Sequence, residues 1–218
     1  MLPPDFFDRD ARTVAQDLLG KVLRRRYGDL WLSAAVVETE AYYRREKGSH
    51  ASLGRTPSRE ALFMPAGTIY MYYARGGDSL NVSCRGAGNA VLFKAGRPYL
   101  DERSGADASA AMHRLNPLKD RQRPDHRLCA GQTLLCRALD LRVPDWTTKP
   151  FDAELHVEDV GARPSKIVVA RRLGIPEGRD EHLMYRFVDY DHLRSATQNP
   201  MPRGAVEGVD YLVRKARG

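Results

Sequence analysis

The apolar run from Leu30 to Glu40 constrains the fold of this 218-residue chain more than any other stretch, because it is typical of one long β-strand. Successive strand side chains point to opposite faces, so Glu38 and Glu40 leave the same face as Val36. A carboxylate beside apolar side chains is costly to bury without a partner. Two interpretations stay open: the strand ends in water, or one carboxylate is a general base at the lip of a pocket.

The rest of the chain mixes strand and helix patterns without a regular βαβ alternation. We predict strands over 22–26, 68–73, 79–84, 89–95, 166–172 and 187–190, and helices from Asp10 to Gly20, over 98–115 and over 132–139. This mixture predicts one α+β domain over residues 1–218 with a largely antiparallel sheet. The segment from about residue 195 contains Pro200 and Pro202, and we expect it to be loose.

Charge and cysteine content narrow the function class. There are 35 basic and 28 acidic side chains, a net charge of +7, which favours nucleic acid or an anionic membrane surface as partner. No apolar run approaches the roughly 20 residues of a membrane span, so we predict no membrane insertion. Cys84, Cys129 and Cys136 have no metal-type spacing and are typical of buried thiols in a reducing compartment. We therefore expect a cytoplasmic protein that faces nucleic acid.

Several common site types are missing from the sequence. It has no Gly-rich phosphate loop, no H-E-x-x-H or C-x-x-C pair and no G-x-S-x-G turn, so we predict neither a metal nor a cofactor. Aromatic side chains instead gather after the acidic strand: Tyr42, Tyr43, His50, Tyr70, Tyr72 and Tyr73. Such tyrosines usually pack in the core, but beside a basic surface they are also able to stack on a nucleobase.

A series of motifs in fixed order resembles the alkyladenine (3-methyladenine) DNA glycosylase family. The motifs are L-L-G-K-V-L over 18–23, V-E-T-E-A-Y over 37–42, P-A-G-T-I-Y-M-Y over 65–72, L-C-A-G over 128–131 and R-L-G-I over 172–175. The resemblance runs from about residue 5 to 190. It implies a single α+β domain with a curved, largely antiparallel sheet surrounded by helices and a protruding β-hairpin.

The same resemblance implies an activity. Such a protein binds double-stranded DNA containing damaged purines, inserts a hairpin side chain, flips the alkylated or deaminated purine out and hydrolyses its N-glycosidic bond with an activated water. The product is an abasic site for base excision repair, and no metal or cofactor takes part. A monomer suffices for this chemistry, and we expect one.

Site residues are implied position by position. Glu40 matches the family's general base, and Lys94 stands where the family has an arginine near the water; Glu38 receives no catalytic role. The residues matched to base binding are Tyr42, His50, Tyr72, Asn81 and the main chain around Gly48. The segment that grips the flipped nucleotide's phosphates matches Arg171, Arg172 and the amides of Leu173 and Gly174.

Two departures from the family pattern bear on DNA binding. Leu134 falls where some relatives have a phosphate-contacting lysine, and Arg75, before Gly76, stands where relatives have an intercalating aromatic side chain. Arg75 is therefore the candidate intercalator. The alternatives are a catalytically weak DNA-binding relative of the same fold and a basic RNA-binding domain, because composition does not separate DNA from RNA.

Overall fold

One large open sheet organises the molecule. The computed structural model describes residues 1–74 and 76–216, and nine strands of that part of the chain form a single, wholly antiparallel sheet. They are β1 Val22–Tyr27, β2 Leu30–Tyr42, β3 Ile69–Ala74, β4 Gly77–Ser83, β5 Ala90–Pro98, β6 Leu155–Glu158, β7 Lys166–Ala170, β8 Arg186–Asp189 and β9 Tyr211–Lys215. The main path is β3-β4-β5-β2-β8-β7-β9, and β1 pairs with β2 and β6.

Short helices flank this sheet. They are α1 Ala11–Asp17, α2 Ala108–Leu115, α3 Asp125–Leu128, α4 Gln132–Ala138 and α5 Val143–Trp146, with 3₁₀ turns at Pro4–Phe6, His50–Leu53, Pro57–Phe63 and Tyr190–Ser195. The predicted cap of α1 is confirmed, because the Asp10 carboxylate accepts from the amides of Arg12 and Thr13. The predicted helix over 98–115 is shorter, since β5 continues to Pro98 and Gly105 has a φ of +80°. The predicted single-domain α+β fold is confirmed.

The strand β2 lies at the centre of the sheet and pairs with β1, β5 and β8. The side chains of Glu38 and Glu40 have no exposed surface. The interpretation in which this strand ends in water is therefore wrong. Pairing with β5 shifts register on both sides of Glu38, so the strand is irregular where its two carboxylates enter the interior.

The hairpin of β3 and β4 is held against α4 near its turn. Gly77 leaves room for Thr133 of α4, since a Cβ atom at residue 77 would lie 2.1 Å from the Thr133 Cγ2 atom. Arg137 Nη2 donates to the Gly76 carbonyl at 3.0 Å. Arg75 lies outside the described residues, so its place at the tip stays a prediction.

The segment after residue 195 differs from the expected loose tail. Strand β9 pairs with β7 over five residues, and the Thr197 amide donates to Glu38 at 2.6 Å. Tyr211 and Met201 pack against a buried apolar cluster that includes Val168. Backbone pairing and apolar contact therefore outweigh the effect of the two prolines. No helix among the described residues has the length and apolarity that crossing a bilayer requires.

Candidate active site

A cavity of about 680 Å³ opens between the strand β2, the β3–β4–β5 face and three loops. Among its lining residues are eight from the sequence prediction: Tyr42, Gly48, His50, Tyr72, Asn81, Lys94, Leu173 and Gly174. The fold thus brings together residues that are up to 132 positions apart in the chain. A cavity of this volume lies within the range of small-molecule sites.

Glu40 lies behind the cavity wall, in contact with three donors. Its Oε2 atom accepts from the Tyr42 hydroxyl at 2.6 Å, and its Oε1 atom accepts from the Leu173 amide at 2.9 Å. Lys94 Nζ lies 3.4 Å from Oε1. All three donor residues line the cavity, whereas Glu40 does not. A water molecule or substrate atom therefore reaches the carboxylate only by joining or displacing one of these donors.

Tyr42 stays protonated beside this carboxylate. Burial and then the charge of Glu40 raise the pKa of Tyr42 well above its ordinary value of 10. Its hydroxyl consequently remains a hydrogen-bond donor to Glu40 across the physiological pH range. Because Tyr42 and Glu40 are two residues apart on β2, strand alternation alone places them on one face.

Aromatic rings form one wall of the cavity. The ring centroids of His50 and Tyr72 are 4.4 Å apart at 66°, and Tyr70 stacks on Tyr72 at 5.7 Å and 29°. The Tyr70 hydroxyl is 3.0 Å from His50 Nδ1. Burial, followed by the charges of Arg59 and Arg179, lowers the pKa of His50 below 6.5, so the ring is neutral at pH 7. Tyr70 was not among the predicted site residues, although it alternates with Tyr72 on β3.

Arg172 is placed differently from the expected phosphate contact. Its side chain has no exposed surface, and Nη1 donates to Glu46 Oε2 at 2.6 Å and to the Ala41 carbonyl at 3.0 Å. The guanidinium carbon lies 4.5 Å from the centroid of the Tyr42 ring, and Arg172 does not line the cavity. It therefore supports Tyr42 from the side away from the cavity. Its neighbour Arg171 is exposed.

Two predicted residues have geometric reasons for their identity. The Asn81 amide nitrogen donates to the Tyr70 carbonyl at 3.2 Å, which fixes the orientation of that buried amide. A Cβ atom at Gly48 would lie 2.8 Å from the Arg179 carbonyl oxygen, so only glycine fits where the two loops meet. The Lys47 amide donates to Asp180 at 2.7 Å and connects the same loops.

Several lining residues were missed by the sequence prediction. They include Gln132, Thr133, Ile175, Arg179, Thr197 and Gln198, and Leu134 also lines the cavity. Gln132 and Thr133 directly follow the L-C-A-G motif, which was an available signal. The sequence carries no such signal for Thr197 and Gln198, because Glu38 and Arg186 hold their main chain through contacts that are remote in sequence.

The charged and polar groups suit hydrolysis beside a bound planar ring. A buried carboxylate, an ammonium group and a tyrosine hydroxyl meet at the edge of an aromatic cavity. The carboxylate is able to take a proton from water and to stabilise developing positive charge. No cluster of three or more His, Cys, Asp or Glu side chains with the geometry to bind a metal occurs within residues 1–74 and 76–216.

Removing the Arg172 side-chain charge tests its buried ion pair with Glu46. Arg172→Met leaves Glu46 buried without its cation, and we expect the free energy of unfolding to fall by about 3–5 kcal/mol. Arg26→Met is the matched control, because Arg26 is 53% exposed and pairs with Glu154 at 3.3 Å. The control should lose at most about 1 kcal/mol. Urea denaturation measures both, and equal small losses would contradict a stabilising buried pair between Arg172 and Glu46.

Comparison with known proteins identifies this arrangement. The model of the methylpurine-DNA glycosylase (MPG) family matches residues 5–193. A protein of Pseudomonas fluorescens, named as a 3-methyladenine DNA glycosylase, is 61% identical over 95% of this chain and 91% of its own length. A protein with the same name from Pseudomonas aeruginosa is 60% identical over 96% of this chain and 89% of its own length. Another from Methanocella arvoryzae is 34% identical over 87% of this chain and 92% of its own length. The chain therefore belongs to the methylpurine-DNA glycosylase family and is a DNA repair hydrolase that acts on N-glycosyl bonds.

Proposed function

We propose that this protein is a monofunctional DNA glycosylase that flips alkylated or deaminated purines out of duplex DNA and hydrolyses their N-glycosidic bond. The proposed nucleophile is a water molecule activated by Glu40, and the product is an abasic site for base excision repair. One observation carries the proposal: Glu40 is buried against the aromatic cavity, in contact with Tyr42, Lys94 and the Leu173 amide. Base flipping explains why a DNA enzyme needs a closed pocket for one base.

The aromatic wall supports the placement of the base. We place the flipped purine between Tyr42 on one side and His50 with Tyr72 on the other. Each base–aromatic stack is worth roughly 1–3 kcal/mol, which helps to offset the few kcal/mol that flipping costs. Asn81 lies on the same wall and faces the edge of the base in this arrangement.

The groups around Glu40 account for the reaction step. As the bond between C1′ and the base nitrogen breaks, its electron pair goes to the base and positive charge develops on the sugar. Glu40 stabilises that charge and takes a proton from water, whose oxygen bonds to C1′. Lys94 holds the carboxylate and is positioned to bind the same water. A purine methylated at N3 or N7 is cationic before cleavage and leaves as a neutral base, so it needs little acid catalysis. Hypoxanthine and ethenoadenine start neutral, and the departing base takes up a proton from solvent.

We also propose that the protein acts as a monomer in the cytoplasm on double-stranded DNA. All groups of the proposed reaction come from one chain, and Cys84, Cys129 and Cys136 are buried and free. Burial raises the pKa of each thiol, which keeps it unreactive.

Glu40→Gln tests the proposed base on oligonucleotides that carry hypoxanthine, ethenoadenine or 3-methyladenine. Single-turnover excision, read as abasic sites, should fall about 100-fold or more because the proton acceptor is lost. Affinity for a duplex with an abasic-site analogue should stay close to wild type. Glu154→Gln, which removes an exposed carboxylate, should leave both unchanged.

Three outcomes would contradict the proposal. Excision by Glu40→Gln at the wild-type rate would remove Glu40 from the reaction. Tight DNA binding without excision by the wild-type protein would indicate the catalytically weak relative. Preference for RNA over duplex DNA would indicate the RNA-binding alternative.

The proposed intercalator Arg75 is tested by the stability of the base pair to be opened. Arg75→Ala should lower excision from a stable duplex much more than from a mismatched or single-stranded substrate, because a wedge only matters where stacking must be replaced. Equal losses that disappear at low salt would make Arg75 a phosphate contact. Tyr73, which is 69% exposed on β3, would then be the next candidate, whereas Leu80 is fully buried.

A further inference from the structure

Arg179 lines the cavity with a guanidinium group that has only some of its N–H donors engaged. It lies on the loop between β7 and β8. Its Nε and Nη2 atoms both donate to the Lys47 carbonyl, at 2.9 and 2.5 Å. A guanidinium has five N–H donors, so this side-on contact leaves three of them available, and two of these lie along the Nη1–Nη2 edge. That edge matches two oxygens of a phosphate.

Arg59 shows a similar side-on arrangement beside the lining residue Leu53. Its Nε donates to the Gly54 carbonyl at 3.0 Å and its Nη2 to the Leu53 carbonyl at 3.2 Å. Leu53 is itself a lining residue. Arg59 and Arg179 both lie close enough to His50 to act on its charge. Carbonyl oxygens thus fix two guanidinium groups near His50: Arg179 lines the cavity, and Arg59 binds the lining residue Leu53.

Three carboxylates near Arg179 have other partners. Glu46 pairs with Arg172, Asp180 accepts from the Lys47 amide, and Glu181 accepts from the Arg179 amide at 3.2 Å. Among the described residues, neither Arg59 nor Arg179 has a carboxylate oxygen within 4 Å of its guanidinium. Carbonyl anchors orient these cations without neutralising them.

We propose that Arg179, together with Arg59, binds the phosphodiester group next to the extruded nucleotide. This inference rests on the proposed function, because it takes the cavity to hold a flipped base. The strand that delivers the base must bring its backbone to the opening of the cavity, and Arg179 lines this cavity with a free guanidinium edge. These contacts place two cations on the His50 side of the cavity. The resemblance to the glycosylase family implied no phosphate-binding arginine there.

The test is the salt dependence of binding to two duplexes, one with a stable abasic-site analogue and one undamaged. Each phosphate contact contributes about 0.9 to the slope of log affinity against log salt. On the abasic-analogue duplex, Arg179→Gln and Arg59→Gln should each make this slope shallower by about that amount between about 50 and 200 mM salt. Arg179→Lys should keep the slope because it keeps the charge. Arg26→Gln, at the exposed end of β1, should behave as wild type.

Unchanged slopes in both glutamine variants would overturn the proposal. An equal loss in Arg179→Lys and Arg179→Gln would also overturn it, because a retained charge should retain the contact. A loss of the same size on undamaged duplex would place the contact away from the extruded nucleotide. Excision by the wild-type protein is measured separately. If the variants show the expected slopes but the wild-type protein does not excise the base, only the proposed hydrolysis is refuted. If the wild-type protein excises the base but the slopes of the variants are unchanged, only the phosphate contact is refuted.

Discussion

The burial of two carboxylates on β2 is the constraint on which the rest of the site depends. Glu38 and Glu40 leave the same face of the central strand and have no exposed surface, so each requires donors from elsewhere in the chain. Glu38 takes Arg186 and the Thr197 amide, and Glu40 takes Tyr42, Lys94 and the Leu173 amide. Satisfying these two charges therefore fixes two remote segments as walls of the cavity.

The dipeptide Arg172-Leu173 couples the aromatic cavity to Glu40, the proposed general base. The Leu173 amide binds Glu40, and the side chain of the preceding Arg172 lies against the Tyr42 ring while it pairs with Glu46. Tyr42 in turn donates to Glu40. Stacking surface and carboxylate are consequently held by the same short segment, so a displacement of one is expected to displace the other. This coupling explains why a buried ion pair lies beside the site although it does not line the cavity.

Much of this arrangement follows from local sequence, and the remainder depends on contacts that are remote along the chain. Strand alternation predicts that Glu40 and Tyr42 share a face, and the glycosylase-like motifs predict the lining by His50, Tyr72 and Asn81. The same motifs do not distinguish Arg171 from Arg172, because only pairing with Glu46 decides which arginine is buried. The order of the segment after residue 195 was missed for the same reason, since its partners Glu38 and Val168 are distant in sequence.

Water, and not an amine, is the proposed nucleophile that attacks the sugar. Lys94 Nζ lies 3.4 Å from Glu40 Oε1, which places an amine beside the proposed reaction centre. Reaction of the wild-type protein with a hypoxanthine duplex in the presence of sodium borohydride tests the claim directly, because borohydride traps any imine between a lysine and the opened sugar. We predict abasic sites without a covalent protein–DNA adduct. An adduct that forms with the wild-type protein and is lost in Lys94→Met would contradict the account.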